Sequence, residues 1–202
     1  MTTVIGGDLA LAKTGLAVWR DGDVTLRTIT TSKDDGDKPA RWTIVCNEVA
    51  VEVPFRVGPG DPRSLFVCEG IYHRVGKGAV GLELAAVRAV VLLRMYAMGV
   101  PTVVCAPQNT KILATGNGAA KKPDMVAAAR DILRLTPRND DEADAAWFMA
   151  AGLTRFPEGR AWLADRGVAT DRPWSNGIAW PTTSWADMEV PDGTGRGAGE
   201  RG

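Results

Sequence analysis

The sequence predicts an α/β domain with a mixed central sheet flanked by helices, followed by an irregular C-terminal extension. Three observations carry this prediction. A hairpin signal, Asp21-Gly22, separates two strand-like runs near the start. Two later short apolar runs, at 64–69 and 100–106, alternate with helix-like stretches, and strands joined through helices are parallel ones. Beyond Arg155 the apolar periodicity gives way to Trp residues scattered among Gly, Pro, Asp and Arg.

The elements follow in order. Thr3–Asp8 reads as a short strand that ends on an acid. Residues 14–20 form a second strand after a tight turn, and Asp23–Thr30 alternates as a third, paired with the second. Residues 32–39 are a polar loop. Residues 40–53 carry apolar side chains at helical spacing, and 58–63 is irregular and rich in Pro and Gly. Ser64–Glu69 is a buried strand that again ends on an acid. A long helix, apolar nearly all round, covers 80–98; a strand covers 100–106; a short helix and Gly-rich turn cover 107–118. Two more helices are expected at 122–135 and at Asp140–Leu153. This places the domain at 1–154 and the extension at 155–202. In the extension, 161–165 continues a helix and 187 onward is expected to be disordered. Trp162, Trp174, Trp180 and Trp185 are expected to pack the segment back onto the domain rather than stack on bases.

Composition excludes some classes. With 45% hydrophobic and 24% charged residues the chain fits a globular protein, and no apolar run is free enough of charge to span a bilayer. Residues 80–100 come closest, and Glu83, Arg88 and Arg94 interrupt them. No secretory leader is legible, so a cytoplasmic address is expected. The three cysteines, Cys46, Cys68 and Cys105, lack the spacing of a disulfide framework or zinc site. Lys+Arg and Asp+Glu are equal at 24 each, so net charge does not announce a nucleic-acid partner. Distribution says more: six basic residues against two acidic lie between Lys111 and Arg138, and Asp140, Asp141, Glu142 and Asp144 follow. Cations that hold phosphate beside carboxylates that hold metal are what a metal-using phosphodiesterase needs. A solvated basic helix face is the alternative.

Four acids occupy the telling places. Asp8 and Glu69 each end a strand, and Asp141 and Asp144, three apart, share one face at the start of a helix. If the two strands are neighbours, about 5 Å apart, the four carboxylates converge. Carboxylate oxygens suit hard Mg²⁺ or Mn²⁺. Two such ions about 4 Å apart activate a water and stabilise the leaving oxygen in displacement at phosphate. Singly, each acid has a plainer reading as a strand-end charge or, for Asp141, a helix N-cap.

The motifs around these acids resemble one family. Gly6-Gly7-Asp8-Leu9-Ala10-Leu11-Ala12-Lys13-Thr14-Gly15-Leu16-Ala17-Val18 resembles the opening strand of the RuvC Holliday junction resolvases. Val67-Cys68-Glu69-Gly70-Ile71-Tyr72 is similar to the strand with the second acid, and Gly116-Asn117-Gly118-Ala119-Ala120-Lys121-Lys122 to the family's Gly-x-Gly-x-Ala-x-Lys stretch. Asp141-Glu142-Ala143-Asp144-Ala145 is similar to its closing acid-x-x-Asp-Ala helix. The ordered set spans roughly 1–153; Leu9-Ala10 departs from the family's usual Pro-Gly.

The resemblance implies an RNase H-like fold and a metal-dependent, structure-selective endonuclease that resolves four-way junctions or other branched DNA and leaves a 5′-phosphate. It implies Asp8, Glu69, Asp141 and Asp144 as metal ligands for two Mg²⁺ or Mn²⁺ ions. Lys122 would act at the scissile phosphate and Lys111 on the backbone nearby. Lys13 and Lys121 would join them in holding DNA, and Tyr72 would stack on a base at the branch point. Symmetric cutting needs two active sites, so a homodimer is expected, with the 80–98 helix as candidate interface. The short chain and its unmatched tail suggest a phage-type member. Three rivals stand beside this reading. Gly7 to Thr14 nearly fits a phosphate loop, but Ala12 replaces the second Gly and a strand follows where a helix should. A branched-DNA binding module that does not cut has no use for the repelling acids. A nuclease of the same fold acting on flaps or RNA–DNA hybrids would share the site.

Overall fold

The structure, a computed structural model, describes residues 2–54, 63–70 and 78–180. Its elements run β1 (Thr3–Asp8), β2 (Lys13–Arg20), β3 (Asp23–Thr30), α1 (Lys38–Ala50), β4 (Ser64–Glu69), α2 (Gly78–Ala97), β5 (Thr102–Cys105), α3 (Pro107–Thr115), α4 (Lys122–Asp131), α5 (Asp140–Leu153) and α6 (Pro157–Asp165). The five strands form one mixed sheet in the order β3-β2-β1-β4-β5. β1, β2 and β3 pair antiparallel, while β4 runs parallel to both β1 and β5. The β2–β3 turn places Asp21 and Gly22 at φ 47° and 111°, the positive values a two-residue hairpin requires.

Strand alternation divides the core in two. Val4, Ala17, Trp19, Leu65, Val67 and Val103 face a layer that includes α3, α4 and α5. Ile5, Leu16, Val18, Phe66 and Cys68 face α1 and α2. The innermost helix is α5, of whose 14 residues 11 are buried. It lies against the middle of the sheet because two strand residues there lack side chains. A Cβ on Gly6 would stand 2.1 Å from the Ala145 carbonyl oxygen, and one on Gly15 would stand 2.1 Å from that of Asp141.

Boundaries moved where caps and breakers decide them. α1 starts two residues earlier than its apolar periodicity, because the Asp37 carboxylate accepts the Ala40 amide and Pro39 fits the first turn. α4 stops at Asp131, before Arg134 takes a positive φ of 57°. α6 begins at Pro157, four residues before the expected 161.

The described residues beyond 155 pack onto those before them and share one core cluster. The Trp162 indole donates to the Gly22 carbonyl at 3.0 Å, and Trp174 is buried with its indole on the Thr170 carbonyl. The Asn109 amide of α3 donates to the carbonyls of Trp174 and Asn176. Arg155 stands 5.1 Å over the Trp180 ring. Trp185 and the stretch from 187 lie outside the described residues. Among the described residues, no helix is long and apolar enough to cross a membrane.

Candidate active site

The sheet brings the first two acids side by side. The last register pair between β1 and β4 is Gly7 with Cys68, and the next residues along are Asp8 and Glu69. Both are in phase with the positions that face α5: Val4 and Gly6 precede Asp8, and Leu65 and Val67 precede Glu69. The other two come from the first turns of α5, held in register at its start. Asn139 caps the helix by accepting the Glu142 amide at 3.0 Å and donates its own amide to the Thr28 hydroxyl of β3. Glu142, fully buried, accepts from Thr28 and from the Arg138 guanidinium and backbone. Burial pushes its carboxyl up, but the Arg138 and Thr28 hydrogen bonds hold it below its usual value. With that end fixed and Gly6 and Gly15 admitting the helix, Asp141 and Asp144 are carried to the end of the sheet where Asp8 and Glu69 lie.

The electrostatics show the convergence. Burial pushes the Asp8 carboxyl up to about 7, with Asp144, Glu69 and Asp141 each adding repulsion and Arg88 opposing them. Asp144 is pushed up to about 6, again chiefly by burial; Lys122 and Lys111 oppose the shift, and Asp140 and Glu69 add to it. The other three predicted acids therefore lie within electrostatic reach of Asp8, and two of the predicted lysines lie within reach of Asp144.

The cations are distributed over the acids. Lys13 bridges Asp141 at 2.9 Å, Lys122 bridges Asp140, and Arg88 bridges Glu69 at 2.6 Å. The Asp140 hydrogen bond raises the Lys122 ammonium and lowers the Asp140 carboxyl. Lys121 is exposed at the start of α4, and its backbone amide donates to Asp124. Lys111 sits half-buried on α3, which Gly116 ends in the left-handed conformation. Tyr72 lies outside the described residues. Two ionic pairings were not foreseen, although the sequence offers Asp140 as an alternative ligand to Asp141. Asp140 holds Lys122, and Arg88, 2% exposed, holds Glu69 from the far side of the sheet. The signal for Arg88 was present: it interrupts an apolar helix on the stripe of Leu84, Val87, Val91 and Met95, where a charge is buried unless the helix turns.

Among the described residues, no three acidic, His or Cys side chains stand as a metal-holding group. The donor set nevertheless fits a hard divalent cation. It is all carboxylate oxygen and half-buried, and burial together with the neighbouring acids raises Asp8 and Asp144. Asp141 and Glu69, which would complete it, each have an oxygen turned to a basic side chain instead.

Over 83% of its length the chain superposes on 98% of a Thermus thermophilus RuvC structure, with a TM-score of 0.58 and 22% identity. The fold is that of RuvC. A second T. thermophilus RuvC structure, in complex with Holliday junction substrate, aligns with 97% of its chain at a TM-score of 0.59 and 20% identity. In sequence, the RuvC-like chain is 36% identical over 130 residues to a crossover junction endodeoxyribonuclease RuvC of Anaeromyxobacter sp. (strain Fw109-5). It is 38% identical over 74 residues to RuvC of Anaeromyxobacter dehalogenans. These matches span 61% and 40% of the respective relatives' lengths. No family model matches the chain.

Proposed function

We propose that this chain is a RuvC-family endonuclease that cuts four-way junctions or closely related branched DNA. The observation that carries the proposal is the convergence of Asp8, Glu69, Asp141 and Asp144 beside Lys122 and Lys111. Half-buried acids gathered in one place, two of them raised by burial and by their neighbours, have little structural value, whereas they suit a divalent cation. The likeness to RuvC in both sequence and fold supports the same reading.

In this reading Asp8, Glu69, Asp141 and Asp144 hold two Mg²⁺ or Mn²⁺ ions. Bound there, such ions supply a nucleophilic water and offset charge on the leaving oxygen. Lys122, released from Asp140 by the arriving phosphate, stabilises negative charge on the reacting phosphoryl group. Lys111, Lys13 and Lys121 hold the backbone. Tyr72 stacks on a base at the branch, an interaction worth about 1–3 kcal/mol. Residues 1–154 carry the chemistry and 155–202 form the extension. We place the protein in the cytoplasm of a bacterial or phage-infected cell, and its divergent motifs suit a phage-type member.

Paired cuts require two sites, so the working form is a homodimer. α2 supports this. Leu82, Ala89, Leu93 and Tyr96 form one stripe on the face turned away from the core, and Leu82, Leu93 and Tyr96 are 73%, 69% and 81% exposed. Leu93→Glu is expected to give a folded monomer by light scattering; an unchanged dimer would move the interface off α2.

Cleavage of a labelled synthetic junction in Mg²⁺ or Mn²⁺, with duplex, flap and RNA–DNA hybrid controls, tests the activity. Symmetric nicks near the crossover are expected. Cleavage of flaps or hybrids alone would keep the site and change the substrate. Binding without any cleavage would make the chain a junction-binding module.

A further inference from the structure

Among the described residues, Arg88 is the one buried cation paired with an acid of the site. It stands on α2, in the layer on the opposite face of the sheet from α5. Its neighbours on the same stripe, Val87, Val91 and Met95, are fully buried in that apolar core. From there the side chain reaches the C-terminal end of β4. Nη2 donates to Glu69 Oε2 at 2.6 Å, and Nη1 donates to the Gly70 carbonyl at 2.9 Å. Nε is buried without a hydrogen-bond partner. A guanidinium kept in an apolar helix layer, with one donor unsatisfied, is costly unless its two remaining contacts serve a purpose.

Those contacts fix one object. The carboxylate and the carbonyl belong to consecutive residues at the end of one strand, and the planar fork engages both at once. Glu69 is thereby held by one named oxygen, and Oε1 is the oxygen Arg88 leaves alone. Lys13 and Lys122 differ: their side chains are 43% and 68% exposed, so both can turn to a phosphate, whereas that of Arg88 is 3% exposed and cannot.

We infer that Arg88 is a positioning residue for metal binding: it stays on Glu69 throughout, orients that carboxylate so that Oε1 faces the cation site, and anchors the Gly70 carbonyl beside it. The inference rests on the metal-nuclease reading above. It requires the fork, not the charge alone. Lys at this position offers a single nitrogen on a flexible stem in place of the planar fork, so Arg88→Lys loses the orientation while keeping the positive charge.

The test is Mn²⁺ binding to the DNA-free full chain, measured by calorimetry at pH 8, for wild type, Arg88→Lys and Arg88→Gln. Circular dichroism and melting establish that each is folded. Arg88→Lys is expected to weaken Mn²⁺ binding about tenfold or more, with junction affinity in EDTA unchanged. In cleavage it should raise the metal midpoint more than it lowers the rate at saturating metal. A folded Arg88→Lys protein with wild-type Mn²⁺ affinity would overturn the inference and assign Arg88 to stability alone. A wild type that binds no Mn²⁺ would instead overturn the metal-nuclease reading. If neither variant folds, the Nε–H resonance of wild-type Arg88 decides. It should shift as Mg²⁺ is added, and a resonance that does not move would overturn the inference.

Discussion

At pH 8 in EDTA, Asp8→Asn should melt well above the wild type, although with Mg²⁺ restored most of its cleavage should be lost. The sign follows from the Asp8 carboxyl, which burial and three neighbouring acids push up to about 7. An unfolded Asp ionises near 4. Between those values the folded protein holds a proton that the unfolded chain has released, so stability falls as pH rises through the window from about 4 to about 7. Above it the penalty is complete. At about 1.36 kcal/mol per pH unit it approaches 4 kcal/mol for this group alone. Asn is a neutral isostere and removes the penalty. A gain of about 2–4 kcal/mol, or roughly 5–15 °C in a chain of this size, is expected at pH 8, shrinking toward pH 4. Saturating Mg²⁺ should raise the wild type and leave Asp8→Asn nearly unmoved. Cleavage by the variant should fall on the order of 10³-fold or more, because several kcal/mol of transition-state stabilisation go with the metal. Junction binding in EDTA should persist. A variant no more stable than wild type at pH 8 would remove the claim of uncompensated repulsion at Asp8.

Gly6→Ala should damage both the fold and the site, through backbone alone. Its Cβ would lie 2.1 Å from the Ala145 carbonyl oxygen and 2.4 Å from the Met149 amide nitrogen. No side-chain rotation relieves a clash with helix backbone, so α5 must lift from β1. Overpacking of this kind costs about 3 kcal/mol or more, or roughly 6–12 °C in melting temperature. The acids on α5 would lift with it. A displacement of about 1 Å at a reacting centre can cost about 10²-fold in rate, so the folded fraction should still be nearly inactive. Gly81→Ala is the control: a Cβ there meets nothing within 4 Å. As an added helix Ala it should leave melting unchanged or raise it slightly. Equal melting of the two variants would show that α5 does not depend on close approach at Gly6.

Much of this was legible in the sequence, for reasons that differ by element. β1, β3 and β4 ended where expected because an acid or a turn closes each apolar run, and β2 began one residue early, at Lys13. The acids could be chosen because strand ends and a three-residue helical step fix side-chain direction without knowledge of the tertiary fold. Helix ends were read less well. Asp37, Pro39, Pro157 and Arg134 set them through capping and backbone conformation rather than periodicity. The ionic pairings were beyond reach. Nothing local says that Lys13 meets Asp141, 128 residues on, or that Lys122 prefers Asp140. Arg88 was read as an interruption of an apolar helix, since its purpose appears only once β4 is known to end beneath it.

The place of α5 in the chain has a consequence for how the protein comes into being. Synthesis delivers β1 through β5 first, and the helix that covers their inner face emerges only after residue 140. Until then Val4, Ala17, Trp19, Leu65 and Val67 form a bare apolar surface, the kind that invites aggregation during biogenesis. The same delay has a protective side. Two of the four converging acids ride on α5, so under the nuclease reading proposed above an incomplete chain on the ribosome carries strands, helices and an exposed sheet, but only half of its acid centre.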